Sequence, residues 1–262
     1  MAINMSMNEQ PTIELIQFSI DHRLININES VFPGEQIHIL GANGAGKSTL
    51  LNGMSGFLNF TGQLNINGRA LKEYRTQDLR QQRAYFPQQV ATQPILKVFQ
   101  YLTLFHSSTD YQIALFEELC RDFQLTSLLM KPIAQLSGGE WQRVRIIATF
   151  LQVWDRQDLS GKFILFDEPT NNLDIIQQSR FDKWAKYFCD CQGTVIMSGH
   201  NLSHSYQHAN RIWMLKEGKI IFSGKPEQVM TEVNLSEIFA SKISLITNND
   251  AKSWRVISFD DE

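Results

Sequence analysis

The sequence predicts an α/β protein with a parallel-stranded core, an antiparallel β-subdomain and an inserted α-helical subdomain. Three observations carry this. KFILFD (162–167) and GTVIMS (193–198) are short continuous apolar runs, as expected of parallel strands buried on both faces. EQIHIL (35–40) is a strand that runs into a glycine-rich stretch, after which STLLNGMSGFL sets Leu50, Leu51, Met54, Phe57 and Leu58 on one helical face. Residues 12–31 alternate apolar and polar side chains, which suits antiparallel strands with one wet face.

In chain order, Ile13 and Leu15, then Leu24, Ile25, Ile27 and Val31, supply the apolar faces of the first strands. Pro33-Gly34 is a turn before the EQIHIL strand. GQLNIN (62–67), closed by Gly68, reads as a further strand and turn. From about 95 to 135 the pattern is helical and polar. Its aromatic residues (Phe99, Tyr101, Phe105, Tyr111, Phe116) are expected first in a core and second along a docking groove. RIWMLKEGKIIFSG (211–224) reads as a hairpin turning at Glu217-Gly218. The last thirty or so residues hold a short helix (about 235–242) and a strand (253–259), with no recognisable chemistry.

Composition narrows the function classes. The 24 Lys and Arg against 27 Asp and Glu give −3 over 262 residues, with 43% hydrophobic and 19% charged, ordinary for a globular chain. Length alone suggests one or two domains. Mild, dispersed acidity argues against a nucleic-acid partner, which needs a basic face. Arg23 is the first basic side chain and no apolar run follows a basic start, so no signal peptide is expected. No stretch reaches the 18 or so apolar residues of a membrane span. Cys120, Cys189 and Cys191 are an odd, sparse set. Two thiolates in Cys189-Asp190-Cys191 do not close a metal site, so reduced thiols inside the cell are expected.

GANGAGKST (41–49) satisfies G-x-x-x-x-G-K-[ST] through Gly41, Gly46, Lys47 and Ser48. In such a loop (Gly41, Ala42, Asn43, Gly44, Ala45, Gly46, Lys47, Ser48, Thr49) backbone N–H groups converge on phosphate oxygens and the helix N-terminus faces the same anion. Lys47 would reach the β- and γ-phosphates and Ser48 would ligate Mg²⁺. The bland alternative is a glycine-rich turn that binds nothing; the strand before it and the helix after it argue otherwise. FILFDEP (163–169) places Asp167 at the carboxyl end of a buried strand, where it can hold Mg²⁺ through water. Glu168 follows, placed to polarise an attacking water as general base. In LSGGEWQRVRI (136–146), Ser137 and Glu140 have the spacing of a capping box. Gly138 and Gly139 cost helix stability yet leave N–H groups open to a close anion, beyond what a cap needs.

These three motifs together resemble the ATP-binding subunits of the ABC (ATP-binding cassette) transporter family. LSGGE matches that family's signature, and the resemblance runs from about residue 12 to 225. It implies a P-loop NTPase (RecA-like) core in a single cassette over 1–262, with the helical subdomain at about 89–140 and a C-terminal extension at about 226–262. It also implies a head-to-tail dimer with two ATP molecules between the copies. Each would be held by one copy's phosphate loop and by Ser137, Gly138, Gly139 and Asp174 of the other. AYFPQ (84–88) resembles the Q-loop, so Gln88 is expected on Mg²⁺ or the attacking water. NNLD (171–174) resembles the D-loop. MSGH (197–200) ends at the family's switch histidine, so His200 is expected at the γ-phosphate. Lys47, Gln88, Glu168 and His200 are therefore the expected catalytic set, and Ser48, Gln88 and Asp167 the expected Mg²⁺ set.

Within the family, YLTLFH (101–106), QLSGGEWQRVRIIATFLQ (135–152), DEPTNNLDIIQQS (167–179) and MSGHNLSHSYQHANRIWMLKEGK (197–219) are most similar to ATPase subunits of bacterial vitamin B12 (cobalamin) importers. That implies two permease copies and, indirectly, a periplasmic substrate-binding protein as partners, with the chain peripheral on the cytoplasmic face of the inner membrane. Alternatives are the same role in haem or iron–siderophore import, or a soluble non-transport ABC ATPase. A regulatory module without hydrolysis is disfavoured by the intact Lys47, Asp167, Glu168 and His200. Two positions depart from the family. Ala42 stands where many relatives carry proline, and the residue stacking on adenine is open between Phe18 and His22. His200, His204 and His208 repeat at four-residue intervals, which invites a metal reading. No acid or cysteine adjoins them in sequence and His200 ends a strand, so His204 and His208 are expected as polar helix residues.

Overall fold

A computed structural model of the chain describes residues 10–257 except 91, 107–108 and 249–250. The chain opens with β1 (Ile13–Ile20) and β2 (Leu24–Val31), an antiparallel pair. Next come β3 (Gln36–Leu40), the glycine-rich loop and α1 (Lys47–Met54). β4 (Thr61–Ile66) and β5 (Arg69–Ala70) complete a four-stranded antiparallel sheet, β2-β1-β4-β5. α2 (Thr76–Gln82) leads into β6 (Arg83–Phe86). The next stretch is helical: α3 (Val98–Leu102), α4 (Asp110–Asp122) and two short 3₁₀ turns. α5 (Gly138–Val153) then returns to the sheet, followed by β7 (Phe163–Asp167), α6 (Ile175–Asp190), β8 (Thr194–Ser198), α7 (Leu202–His208) and the hairpin β9 (Arg211–Lys216) and β10 (Lys219–Gly224). The chain closes with α8 (Pro226–Val229), α9 (Glu232–Phe239) and the hairpin β11 (Ile243–Asn248) and β12 (Ala251–Val256).

The six-stranded sheet has the order β10-β9-β3-β8-β7-β6. Every pair in it is parallel except the β9–β10 hairpin. β3, β7 and β8 are buried at all five residues, the expected result for strands covered on both faces. One face packs α5 and α6 and continues into the helical stretch, so that Phe150, Phe166, Phe181, Trp154 and Trp184 share a core with Leu102, Leu119 and Phe123. The other face sandwiches α1 against the antiparallel sheet, uniting Leu50, Leu51 and Met54 with Phe18, Ile27, Leu64 and Ile39. Among the described residues no helix is long and apolar enough to cross a membrane.

Several local expectations change. α1 ends at Met54, and Gly56 takes a left-handed φ of 75°. The apolar helical face therefore stops short, leaving Phe57 64% exposed and Leu58 partly exposed. Phe99 is exposed, whereas Tyr101, Phe105, Tyr111 and Phe116 pack on the core. The terminal helix begins at Glu232 rather than about 235, and what the sequence suggested as one strand is a two-stranded hairpin whose first strand was not anticipated. The expected strand's end, 258–259, lies outside the described residues.

Candidate functional site

The carboxyl ends of β3, β7 and β8, adjacent in the sheet, open onto one cavity of about 840 Å³. Open parallel sheets bind ligands at that edge. β3 delivers the loop 41–46. Gly41 is close-packed: a Cβ there would lie 2.3 Å from the Leu215 carbonyl oxygen. Gly46, the N-cap of α1, has a φ of 109°, which a side chain would strain. Lys47 is buried and folds back over the loop, its Nζ donating to the Gly41 carbonyl at 2.7 Å and the Ala42 carbonyl at 3.1 Å. Burial pulls its ammonium pKa down, against the opposite effect of Glu168 and Asp167. Asn43, Gly44, Gly46, Lys47, Ser48 and Thr49 line the cavity. Gly41 and Ala45 are buried in the same loop and Ala42 is exposed, outside the lining.

β7 delivers the acids. Asp167 is buried, and its Oδ1 accepts a 2.6 Å hydrogen bond from the Ser198 hydroxyl at the end of β8. The same Oγ accepts the Glu168 backbone N–H at 3.0 Å. Glu168 holds a left-handed φ of 51°, uncommon for a residue with a side chain, and this turns its carboxylate into the cavity. Gln88 Nε2 and Asn171 Nδ2 donate to its Oε2 at 2.7 and 2.6 Å, and His200 Nε2 lies 2.5 Å from its Oε1. Burial raises the Glu168 pKa, but these donors outweigh it and hold the carboxyl below its ordinary value. Gln88, Glu168 and His200 thus meet from three segments far apart in sequence. Asn171 and Ser198 are additional members that sequence reasoning missed. Both lie inside NNLD and MSGH, motifs whose resemblance points to Asp174 and His200 instead.

α5 braces this cluster. Arg145 donates to the Pro87 carbonyl beside Gln88, and its guanidinium sits 4.1 Å from the Phe86 ring centre. Gln142 Nε2 donates to the Pro169 carbonyl at 2.9 Å. One helix therefore grips the chain next to both Gln88 and Glu168.

The other wall comes from the β1–β2 turn and the β9–β10 turn. Glu217 and Gly218 take successive left-handed conformations (φ 48° and 75°), and Gly218 N–H donates to the Ala45 carbonyl at 3.0 Å. His22 and Arg23 line the cavity opposite. Phe18 is fully buried against Phe60, so of the two adenine candidates only His22 is accessible.

Ser137, Gly139 and Asp174 do not join this cavity. They share a separate hollow of about 210 Å³ with Arg143 and Asn172. Ser137 and Glu140 form the expected capping box, at 2.7 and 3.2 Å. Gly138 is exposed at the same helix end. Asp174 caps α6, accepting from the Gln177 N–H at 2.8 Å.

The histidine series divides. His200 turns to Glu168, while His204 and His208 on α7 face Asp182 of α6. An acid does complete the pair, contrary to expectation; it lies 22 residues before His204 and is brought in by the fold. Cys120, Cys189 and Cys191 are free thiols, and burial pushes Cys120 and Cys189 up to about 12.

Residues 24–171 match the family described as ABC transporter. The vitamin B12 import ATP-binding protein BtuD of Photorhabdus laumondii is 46% identical over 243 residues, 92% of this chain and 96% of that protein. BtuD of Yersinia pseudotuberculosis is 37% identical over 92% of this chain and 96% of its own length. That of Pectobacterium atrosepticum is 39% identical over 87% and 92%. Among solved structures, an ATP-binding subunit of an ABC transporter superposes with a TM-score of 0.76 at 23% identity, covering 86% of this chain and 94% of that one. The cbiO1 structure from Clostridium perfringens, part of the ABC transporter complex cbiONQ, gives 0.70 at 23% identity, covering 87% and 94%.

Proposed function

This chain belongs to the ABC transporter family and is an ATPase of that family; from that premise we propose that it powers vitamin B12 uptake through a permease. The observation that carries the substrate is the identity of 46% over nearly the whole chain to a protein named for vitamin B12 import. The observation that supports the chemistry is Glu168, held ionised by Gln88, Asn171 and His200 beside the phosphate loop.

Residues 41–49 bind the phosphates of ATP, with Lys47 leaving the Gly41 and Ala42 carbonyls for the β- and γ-phosphates. His22 stacks on the adenine. The donor set fits a hard divalent cation, since a hydroxyl (Ser48), an amide oxygen (Gln88) and a buried carboxylate (Asp167) offer only oxygens. Mg²⁺ there would neutralise phosphate charge. Glu168 accepts the proton of the attacking water, and His200 and Gln88 orient carboxylate and water. Positioning and charge neutralisation supply most of the rate.

The hollow at Ser137, Gly138, Gly139 and Asp174 remains apart from the loop within one chain. Its open N–H groups suit the γ-phosphate bound by a second copy, which gives a head-to-tail dimer with two ATP molecules. α5 links that helix end to Gln88 and Glu168, so dimer closure is felt at both. Two permease copies dock on the exposed apolar side chains of the helical stretch, Ile95, Phe99, Leu104 and Met130. The whole chain acts as one cassette, peripheral on the cytoplasmic face of the inner membrane, and a periplasmic binding protein delivers the substrate. Co-expression with its permease tests this: the complex should co-purify, and vitamin B12 with the binding protein should stimulate its ATPase. Stimulation by haem or an iron–siderophore instead would reassign the substrate.

A further inference from the structure

α7 places His204 and His208 one turn apart on the same face, with ring centroids 4.7 Å apart. Both face Asp182, which α6 buries. His204 Nε2 lies 2.8 Å from Asp182 Oδ1, and His208 Nε2 lies 3.6 Å from Oδ2. One donor atom from each of the three residues falls within 4.8 Å of the others. Donors around a tetrahedral ion bound at roughly 2.0–2.2 Å stand about 3.3–3.6 Å apart, so side-chain shifts of an ångström or so suffice. Two imidazoles and a carboxylate suit zinc-class ions and not Mg²⁺, which prefers oxygen.

The neighbours set the ligand number. His38 stacks on His204 at 5.5 Å, but both its nitrogens are engaged. Its Nε2 accepts from Gln36 Nε2 at 3.1 Å, and its Nδ1 therefore donates to Ser205 Oγ at 3.0 Å. His208 is partly exposed, which leaves a fourth position to water.

We propose that Asp182, His204 and His208 bind one zinc-class divalent ion, with water as the remaining ligand. The ion ties α7 to α6. Because α7 starts two residues after His200, occupancy steadies the segment that carries that histidine.

The test uses the full-length chain freed of metal with a chelator, without nucleotide or Mg²⁺. Zn²⁺ is titrated against a chromophoric competitor, and Co²⁺ is followed by its visible spectrum. One ion per chain is expected, with tetrahedral Co²⁺ bands and no thiolate charge-transfer absorption, which separates the site from Cys191. His208→Ala should weaken binding by more than the roughly 10–100-fold that loss of an outer-shell partner costs. Zn²⁺ should raise the unfolding temperature of the wild-type chain and not of His208→Ala. Absence of stoichiometric binding overturns the site, as does binding unchanged in both His208→Ala and Asp182→Asn. The wild-type cobalt spectrum decides even if a variant fails to fold.

Discussion

Ser198 holds both acids of the proposed site, donating to Asp167 and accepting the Glu168 N–H. Ser198→Ala leaves a buried carboxylate oxygen and an amide unpaired. It should destabilise the chain by about 1–3 kcal/mol in urea unfolding, with a loss of ATPase beyond what folding explains. Arg145→Ala removes the grip on the Pro87 carbonyl beside Gln88. Its expected signature is a fall in kcat at little change in ATP affinity. Glu168 also sets a pH dependence. Its pKa is depressed in the folded chain, so its contribution to stability is present above its unfolded value near 4.5 and is lost as pH falls through the folded value. Unfolding curves of wild type and Glu168→Gln should accordingly draw closer as pH falls from about 7 to about 3.

At the scale of elements, the N-terminus of α5, with Ser137 and Gly138 exposed, stands apart from the phosphate-loop cavity and is the proposed γ-phosphate contact for a second copy. Ser137→Arg keeps α1 and its loop intact, so ATP should still bind the monomer while turnover is lost, measured by nucleotide affinity beside steady-state hydrolysis. Gly41→Ala drives a Cβ into the Leu215 carbonyl. It should cost about 1–3 kcal/mol or more, read by thermal unfolding. These elements also show what could be read from the chain. β3, β7 and β8 were legible because burial on both faces leaves continuous apolar runs, and the glycine-rich loop because its φ values and close contacts demand glycine. The end of α1 was not, because Phe57 and Leu58 extend the apolar pattern past a turn set by Gly56. Nor was Asp182 beside His204 and His208, because only the packing of α6 on α7 joins positions so distant in sequence. Sequence position alone does not distinguish His22 from Phe18; the burial of Phe18 under the antiparallel sheet does.

At the scale of the whole molecule, the two hollows sit apart within one chain, and in the proposed function a second copy joins them. That is the central claim: the chain hydrolyses ATP only when its phosphate loop and Glu168 meet the Ser137 end of another copy. The direct measurement is light scattering and ATPase turnover of Glu168→Gln with ATP and Mg²⁺. The account predicts a stable ATP-bound dimer with turnover reduced by about 10²–10⁴-fold, the worth of a general base. A monomer that turns over ATP at the wild-type rate would contradict it.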